Sequence, residues 1–174
     1  EALRTSFCAS CAKAVADFGL DGIDIDWEYP TSDMAGISAS PEDTDNFTLL
    51  MRDLRAALGP DKFLTIATSA TAQYIDYKAI VEYLDFVNVM AYDMSMGDSH
   101  HSGLYPSAFS ADLTSDGAVD SARNYVFGFE NPRSLGLKCA YIVEQGLHGG
   151  MYWDYSGDNA EHDLARTVRD GLLK

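Results

Sequence analysis

The segment Asp21–Pro30, DGIDIDWEYP, constrains the fold of this chain most, because it places four carboxylates within an otherwise apolar run. Alternate side chains of a β-strand point to opposite faces, so Asp24, Asp26 and Glu28 share one face. The opposite face is apolar and carries Ile23, Ile25 and Trp27. The segment therefore predicts a strand whose apolar face packs under helices and whose acidic face looks into a sheet interior or a cleft.

The row of carboxylates favours catalysis over two other interpretations. Closely spaced carboxylates cannot all ionise, so at least one pKa should rise and a proton should be shared. A carboxylic acid that stays protonated near neutral pH is what general acid catalysis needs. A solvated edge strand would not need so regular an apolar face, and a calcium-binding loop needs Gly and Asn at a spacing that is absent here.

Helix and strand patterns alternate along most of the chain. Apolar periodicity and turn residues predict helices over 2–18, 41–58, 77–84, 132–145 and 159–173, with Ser40 as the N-cap of the second helix. Besides the acidic segment, β-rich runs predict strands over 62–69, 85–92 and 148–154, and a weaker candidate over 125–129. This order is typical of βαβ units, so we expect an α/β fold with a parallel sheet of four strands.

The carboxyl ends of two predicted strands carry further candidate site residues. Met90 and Tyr92 share one face of the third strand and Asp93 follows them, while Trp153 lies at the end of the last strand. In parallel α/β folds this end of the sheet carries the chemistry. A single aromatic residue normally indicates core packing, but the joint placement favours a binding site in which an aromatic plane holds a sugar face.

Charge and composition exclude several classes of partner and site. The net charge is -15, whereas nucleic-acid binders neutralise phosphates with clustered Lys and Arg. The sequence contains no apolar run long enough to cross a bilayer. The three cysteines, Cys8, Cys11 and Cys139, have no second pair at zinc-ligand spacing, so we interpret them as small buried residues.

At these residues the sequence resembles family 18 of the glycoside hydrolases, which contains chitinases and endo-β-N-acetylglucosaminidases. The family signature of Asp, two residues, Asp, one residue, Asp, one residue and Glu is matched by Asp21, Asp24, Asp26 and Glu28. Two more elements match: Met90, Tyr92 and Asp93 fit the Met-x-Tyr-Asp element, and Trp153 fits the strand-eight Trp. The resemblance runs through most of residues 8–170.

The resemblance implies a retaining mechanism in which the substrate assists its own cleavage, an exception to the usual two-carboxylate scheme. Glu28 would be the general acid and base, and Asp26 would bind the acetamide N–H of the substrate. Asp24 would share a proton behind Asp26, and Asp21 would be structural. Substrate contacts would come from Tyr92 to the acetamide oxygen, Asp93 to sugar hydroxyls, Trp153 beneath the sugar and Met90 in the pocket wall. The scheme involves no metal and no organic cofactor.

The family fold is a (β/α)8 barrel, for which about 200 residues is a lower limit. The predicted strands correspond to strands four, five, six and eight of that barrel. We therefore expect residues 1–174 to be a partial catalytic domain, with strand seven and a following insertion missing near 120–127. An incomplete barrel leaves parallel strand edges unpaired, so a longer natural chain and self-association are both open explanations.

Hydrolysis of β-1,4-linked N-acetylglucosamine chains, in chitin or its oligomers, is the function that the resemblance favours. An endo-β-N-acetylglucosaminidase acting on glycoprotein glycans is the alternative within the enzyme class, and a lectin-like carbohydrate-binding protein or fragment is the alternative outside it. Lectin-like members typically lose the catalytic Glu, which is present here as Glu28. By resemblance we expect a secreted, periplasmic or cell-surface location.

Overall fold

The structure is a computed structural model that describes residues 1–93, 117–120, 125–128 and 130–173. The chain forms two compact units, Glu1–Met90 and Ala91–Lys174. Each unit is described by itself.

Alternating helices and strands build the first unit. Its elements are α1 (Ala2–Phe18), β1 (Gly22–Asp26), α2 (Asp43–Leu58), β2 (Phe63–Ser69), α3 (Tyr77–Ile80), a short 3-10 helix (Val81–Tyr83) and β3 (Phe86–Met90). The strands form a parallel sheet in the order β1-β2-β3. Sequence order and sheet order coincide, with a helix between successive strands, and this confirms the predicted βαβ organisation.

The central strand β2 and the helix α2 form the core of this unit. Residues 64–68 are all buried, which is typical of a parallel strand covered on both faces. The buried apolar side chains come from α1, α2, β2 and α3, and they are Cys8, Phe47, Met51, Leu54, Leu64, Ile66 and Ile80. The acidic strand β1 lies at the edge of the described sheet. Its apolar face is only half-buried.

Helix α2 begins later than the sequence pattern predicts. Ser40 was expected to cap it, but the first helical residue is Asp43. The carboxylate of Asp43 accepts a hydrogen bond from the backbone N–H of Ser40, at 2.7 Å. The backbone N–H of Asp43 in turn donates to the carbonyl oxygen of Ser40. These two contacts fold residues 40–43 into a turn, so Pro41 lies before the helix.

Two further strands, two α-helices and a short 3-10 helix lie in the described part of the second unit. Its elements are β4 (Gly117–Asp120), β5 (Tyr125–Gly128), α4 (Pro132–Glu144), a 3-10 helix (Tyr155–Gly157) and α5 (Asp163–Leu172). Strands β4 and β5 pair antiparallel. The sequence pattern predicted β5 and α4 but missed β4. The predicted gap near 120–127 includes residues 121–124, which lie outside the described residues.

The predicted strand over 148–154 is wrong. The described structure places no strand there, and the chain runs irregularly into the 3-10 helix that starts at Tyr155. A strand needs a neighbouring strand to pair its backbone groups, and no described strand pairs with this segment. The segment also contains Gly149 and Gly150, which favour irregular backbone. The described part of the chain therefore contains three parallel strands instead of the four predicted.

Helices α4 and α5 pack closely against each other. Asn131 caps α4 by accepting hydrogen bonds from the N–H groups of Arg133 and Ser134. A Cβ added to Gly171 of α5 would lie 2.7 Å from the Cβ of Cys139. The interface therefore depends on a glycine at this position.

The cysteines behave as packing residues. Cys8 and Cys139 are buried and Cys11 is half-buried, and none of them forms a disulfide. Burial is the main cause that raises the pKa of all three thiols, which keeps them neutral near pH 7.

None of the helices that the structure describes is long and apolar enough to span a bilayer.

Candidate active site

Three carboxylates line one face at the carboxyl end of β1. Asp24 and Asp26 lie in the strand and Glu28 follows two residues after its last residue. All three are exposed, whereas the residues between them, Ile25 and Trp27, are half-buried. The predicted alternation is confirmed, and it continues past the end of the strand. Asp21 precedes the strand, and its carbonyl oxygen accepts a hydrogen bond from the backbone N–H of Phe63 at 2.9 Å.

Neighbouring strands hold Asp24 in place. The hydroxyl of Thr65, its register partner in β2, donates to Asp24 Oδ1 at 2.5 Å. The amide of Asn88 in β3 donates to the same oxygen at 3.0 Å. Thr65 was not singled out from the sequence, because its contact depends on strand register. Asn88 gave a usable signal, since it lies on the same face as Met90 in the strand pattern.

The surroundings of Asp26 disfavour its ionisation. Its carboxyl group is partly desolvated although the residue as a whole is exposed, and this desolvation is the first cause that raises its pKa above 3.8. The negative charges of Glu28 and Asp24 raise the pKa further. One carboxyl pKa of the row is thus raised, at Asp26, by desolvation first and by the crowding of charges second.

The raised pKa of Asp26 predicts a pH-dependent gain in stability for Asp26→Asn. The folded chain holds this proton more tightly than the unfolded chain, so stability is lost as pH rises above 3.8 through the folded pKa. A neutral Asn removes that loss. In thermal unfolding, the Tm of Asp26→Asn should therefore exceed that of the wild type by more at pH 7 than at pH 4. A variant with a lower Tm than the wild type at pH 7 would contradict the assignment.

Tyr29 is a neighbour of Glu28 that the sequence analysis did not single out. Its ring stacks on that of Tyr74, with centroids 4.8 Å apart and planes at 12°. Burial raises the pKa of Tyr29 to about 12, and the neighbouring Glu28 side chain adds to this shift. The peptide bond between Glu28 and Tyr29 is cis. A stacked aromatic pair therefore begins at the residue that directly follows Glu28.

The remaining predicted site residues lie at the end of β3 and in the second unit. Met90 is the last residue of β3 and is paired with Ser69 of β2. In the second unit, the hydroxyl of Tyr92 donates to the sulfur of Met151 at 3.7 Å, and Asp93 has a left-handed backbone with φ of 54°. The structure thus brings Asp24, Asp26 and Glu28 together in one unit, whereas Tyr92, Asp93 and Trp153 belong to the other.

Trp153 exposes an aromatic surface within the second unit. Its side chain is 77% exposed. It borders a groove of about 250 Å³ whose apolar walls also include Leu135 of α4 and Leu164 and Val168 of α5. An exposed indole face beside an apolar groove is suited to stacking on a flat apolar surface such as a sugar ring.

Within the described ranges, no group of three or more His, Cys, Asp and Glu side chains is placed to hold a metal ion. What the row can do chemically is hold, donate and accept protons.

The sequence matches one family over most of its length. The profile of the family described as glycosyl hydrolases family 18 covers residues 1–126. The chain is 31% identical over 173 residues to Chitinase A1 of Niallia circulans, which covers 88% of this chain and 24% of that protein. It is 32% identical over 109 residues to Chitinase B of Serratia marcescens, covering 54% of this chain and 20% of that protein. The chain thus spans a quarter or less of these relatives.

Solved structures show the same likeness. A glycoside hydrolase family 18 N-acetylglucosaminidase from Paenibacillus barengoltzii superposes with a TM-score of 0.84 at 26% identity, covering 99% of this chain and 76% of that chain. Chitinase ChiA74 from Bacillus thuringiensis gives a TM-score of 0.83 at 23% identity, covering 99% of this chain and 47% of that chain. The second of these shows likeness in fold alone.

Proposed function

The chain belongs to family 18 of the glycosyl hydrolases, and on this premise we propose that it hydrolyses β-1,4-linked N-acetylglucosamine chains. The curated relatives reported above carry the name chitinase, which supports chitin or its oligomers as the substrate class. The sequence order of α1 to β3, with parallel neighbouring strands, supports the (β/α)8 barrel as the architecture.

The observation that carries the proposal is the row of Asp24, Asp26 and Glu28 at the carboxyl end of a parallel strand. This is the end at which α/β enzymes place their chemistry. The row belongs to the four-acid motif of the family, and desolvation together with the neighbouring charges of Glu28 and Asp24 raises the pKa of Asp26. A purely structural row would not need three exposed acids side by side.

In the proposed reaction Glu28 gives its carboxyl proton to the glycosidic oxygen as the bond from that oxygen to the anomeric carbon breaks. The acetamide oxygen of the same sugar forms a bond to the anomeric carbon, giving an oxazolinium ion. The Glu28 carboxylate then takes a proton from water, and the water oxygen attacks the anomeric carbon. The bond from the acetamide oxygen to that carbon breaks, which opens the oxazolinium ring. The two displacements together retain the configuration of the sugar.

Asp26 and Asp24 support the acetamide in this scheme. Asp26 accepts the acetamide N–H hydrogen bond and stabilises the positive charge of the ring, as an ionised carboxylate does best. The raised pKa of Asp26 supports a proton shared with its neighbours before substrate binds. Two donors, from Thr65 and Asn88, hold Asp24 Oδ1, so Asp24 is suited to stay fixed while the shared proton moves.

Residues of the second unit, with Met90, supply the proposed sugar contacts. Tyr92 donates to the acetamide oxygen, Asp93 accepts from sugar hydroxyls and Trp153 stacks beneath the distorted sugar. The high exposure of Trp153 supports this role, because its ring face is available to a ligand. A polymer such as chitin cannot enter cells, so export of the protein is part of the proposal.

Substrate choice tests the proposal. We expect the chain to release fluorophore from a 4-methylumbelliferyl chitotrioside and to leave a high-mannose glycoprotein intact, because the curated relatives are chitinases. Fluorimetry measures the first reaction and a gel-mobility shift of the glycoprotein the second. Release of glycan without cleavage of the chitotrioside would overturn the chitinase assignment in favour of an endo-β-N-acetylglucosaminidase. Saturable binding of the oligosaccharide without cleavage of either substrate would favour a lectin-like protein.

A further inference from the structure

Two polar side chains on neighbouring strands donate to the same carboxylate oxygen of the acidic row. The hydroxyl of Thr65 in β2 lies 2.5 Å from Asp24 Oδ1, and the amide nitrogen of Asn88 in β3 lies 3.0 Å from that oxygen. Each oxygen of a carboxylate offers about two lone-pair sites. The sheet therefore occupies both lone-pair sites of Oδ1, so a proton carried by Asp24 has its place on Oδ2.

The surroundings of Thr65 fix its hydroxyl beneath Asp24. Thr65 is only 5% exposed, and it lies directly opposite Asp24 in the parallel register of β1 and β2. A buried hydroxyl is costly unless it forms a hydrogen bond, and Asp24 Oδ1 provides the acceptor. Because residues 64–68 of β2 are all buried, the donor comes from the best-packed strand of the unit.

The same two strands treat Asp26 differently. Asp26 pairs in register with Ala67, and Ala67 pairs with Asn88. Ala67 has no polar side-chain group, and the amide of Asn88 donates to Asp24 although Asp26 lies in its own row. Among the residues that the structure describes, no side chain donates a hydrogen bond to the Asp26 carboxylate. The sheet thus holds one carboxylate of the row and leaves the next one to its ligand.

We propose that Thr65 and Asn88 are positioning residues, which hold Oδ1 of Asp24 so that Oδ2 alone is available to the shared proton. The inference rests on the proposed function, because that function places the shared proton behind the carboxylate that binds the acetamide. It gives two neutral side chains of the sheet a part in the reaction. Misplacement of a catalytic group by about 1 Å can cost about 100-fold in rate.

The proton transfer is balanced within the two carboxyl groups. An O–H bond breaks at a carboxyl oxygen of Asp26 and an O–H bond forms at Asp24 Oδ2, and the reverse transfer restores the starting state. Thr65 and Asn88 keep their own protons throughout, because each acts only as a hydrogen-bond donor to Oδ1. Their contribution is therefore geometric, and it should affect kcat more than substrate binding.

Thr65→Val keeps the shape of the side chain and removes the hydroxyl. On the chitotrioside we expect kcat to fall about 10-fold with KM within about twofold, because a hydrogen bond to a charged group contributes a factor of about 10 or more. Asn88→Leu, which removes the second donor, should have an effect of similar size. Thr65→Ser keeps the hydroxyl and should recover kcat to within about threefold of the wild type.

Thr68→Val is the matched control. Thr68 is buried in the same strand, but it lies on the opposite face from Thr65 and its hydroxyl pairs with that of Tyr77. The same chemical change should therefore leave kcat unchanged there. A wild-type kcat in Thr65→Val, or an equal fall in Thr68→Val, would overturn the positioning role and leave Thr65 as a packing residue.

A second measurement does not depend on turnover. We expect Thr65→Val to lower Tm by about 5 °C or more in the wild type and in Asp24→Asn, whose amide oxygen can still accept the hydrogen bond. In Asp24→Ala, which lacks an acceptor, the same change should lower Tm by about 2 °C or less. Equal losses of Tm in all three backgrounds would overturn the inference. A wild-type chain without turnover would count against the proposed function, while this comparison would still decide whether Thr65 holds Asp24.

Discussion

Glu28→Gln should lower kcat on chito-oligosaccharides by about 1000-fold while leaving their binding within a few-fold of the wild type. General acid and base catalysis contributes about 100- to 10,000-fold to such reactions, and Gln can neither donate the proton to the leaving oxygen nor accept one from water. Gln keeps the size of Glu, so contacts to the sugar are largely preserved. Steady-state fluorimetry measures kcat, and isothermal titration calorimetry measures the dissociation constant.

Glu82→Gln is the matched control for that experiment. Glu82 lies in the 3-10 helix after α3, exposed and outside the acidic row, so its variant should turn over at the wild-type rate. If Glu28→Gln lost oligosaccharide binding as completely as it lost turnover, the result would indicate a damaged binding site. It would then not support the assignment of Glu28 as the general acid and base. Thermal unfolding of both variants separates these cases.

Gly22→Ala should destabilise the first unit by about 2–3 kcal/mol. Gly22 starts β1 opposite Phe63 of β2, and a Cβ at this position would lie 2.0 Å from the carbonyl oxygen of Phe63. Backbone cannot move aside as a flexible side chain can, so the two strands must separate where the sheet begins. For a unit of this size the loss corresponds to a fall in Tm of about 10 °C or more, which differential scanning calorimetry measures.

Gly136→Ala provides a comparison with the opposite sign. Gly136 lies inside α4, and an added Cβ would meet no atom within 4 Å. Alanine is favoured over glycine within a helix by about 0.5–1 kcal/mol, so this variant should stabilise the second unit slightly. A Gly22→Ala variant as stable as the wild type would show that β1 and β2 do not approach as closely as the structure describes.

Local patterns made much of the first unit predictable. The period of two in DGIDIDWEYP determines which side chains share a face, and the exposure of Asp24, Asp26 and Glu28 confirms it. Glycines follow the last residues of α1 and α2, and both Gly19 and Gly59 have the positive φ that favours glycine at a helix end. These features depend on neighbouring residues alone, so they can be derived without knowledge of the tertiary structure.

Features that depend on distant residues could not be predicted in the same way. The contact from Thr65 to Asp24 requires the β1–β2 register. At the start of α2, Asp43 accepts a hydrogen bond from the backbone N–H of Thr31, which lies outside the helix pattern. The segment 148–154 has a strand-like composition but no described partner strand. Composition indicates that a segment can be extended, whereas pairing decides whether it becomes a strand.

The central claim is that Glu28 is the general acid and base of an N-acetylglucosamine-specific hydrolase. One rate comparison tests it most directly. It measures fluorophore release from the chitotrioside at a saturating concentration by the wild-type chain and by Glu28→Gln in the same assay. The account predicts release by the wild type and a rate about 1000-fold lower for the variant. Equal rates for the two proteins would contradict it.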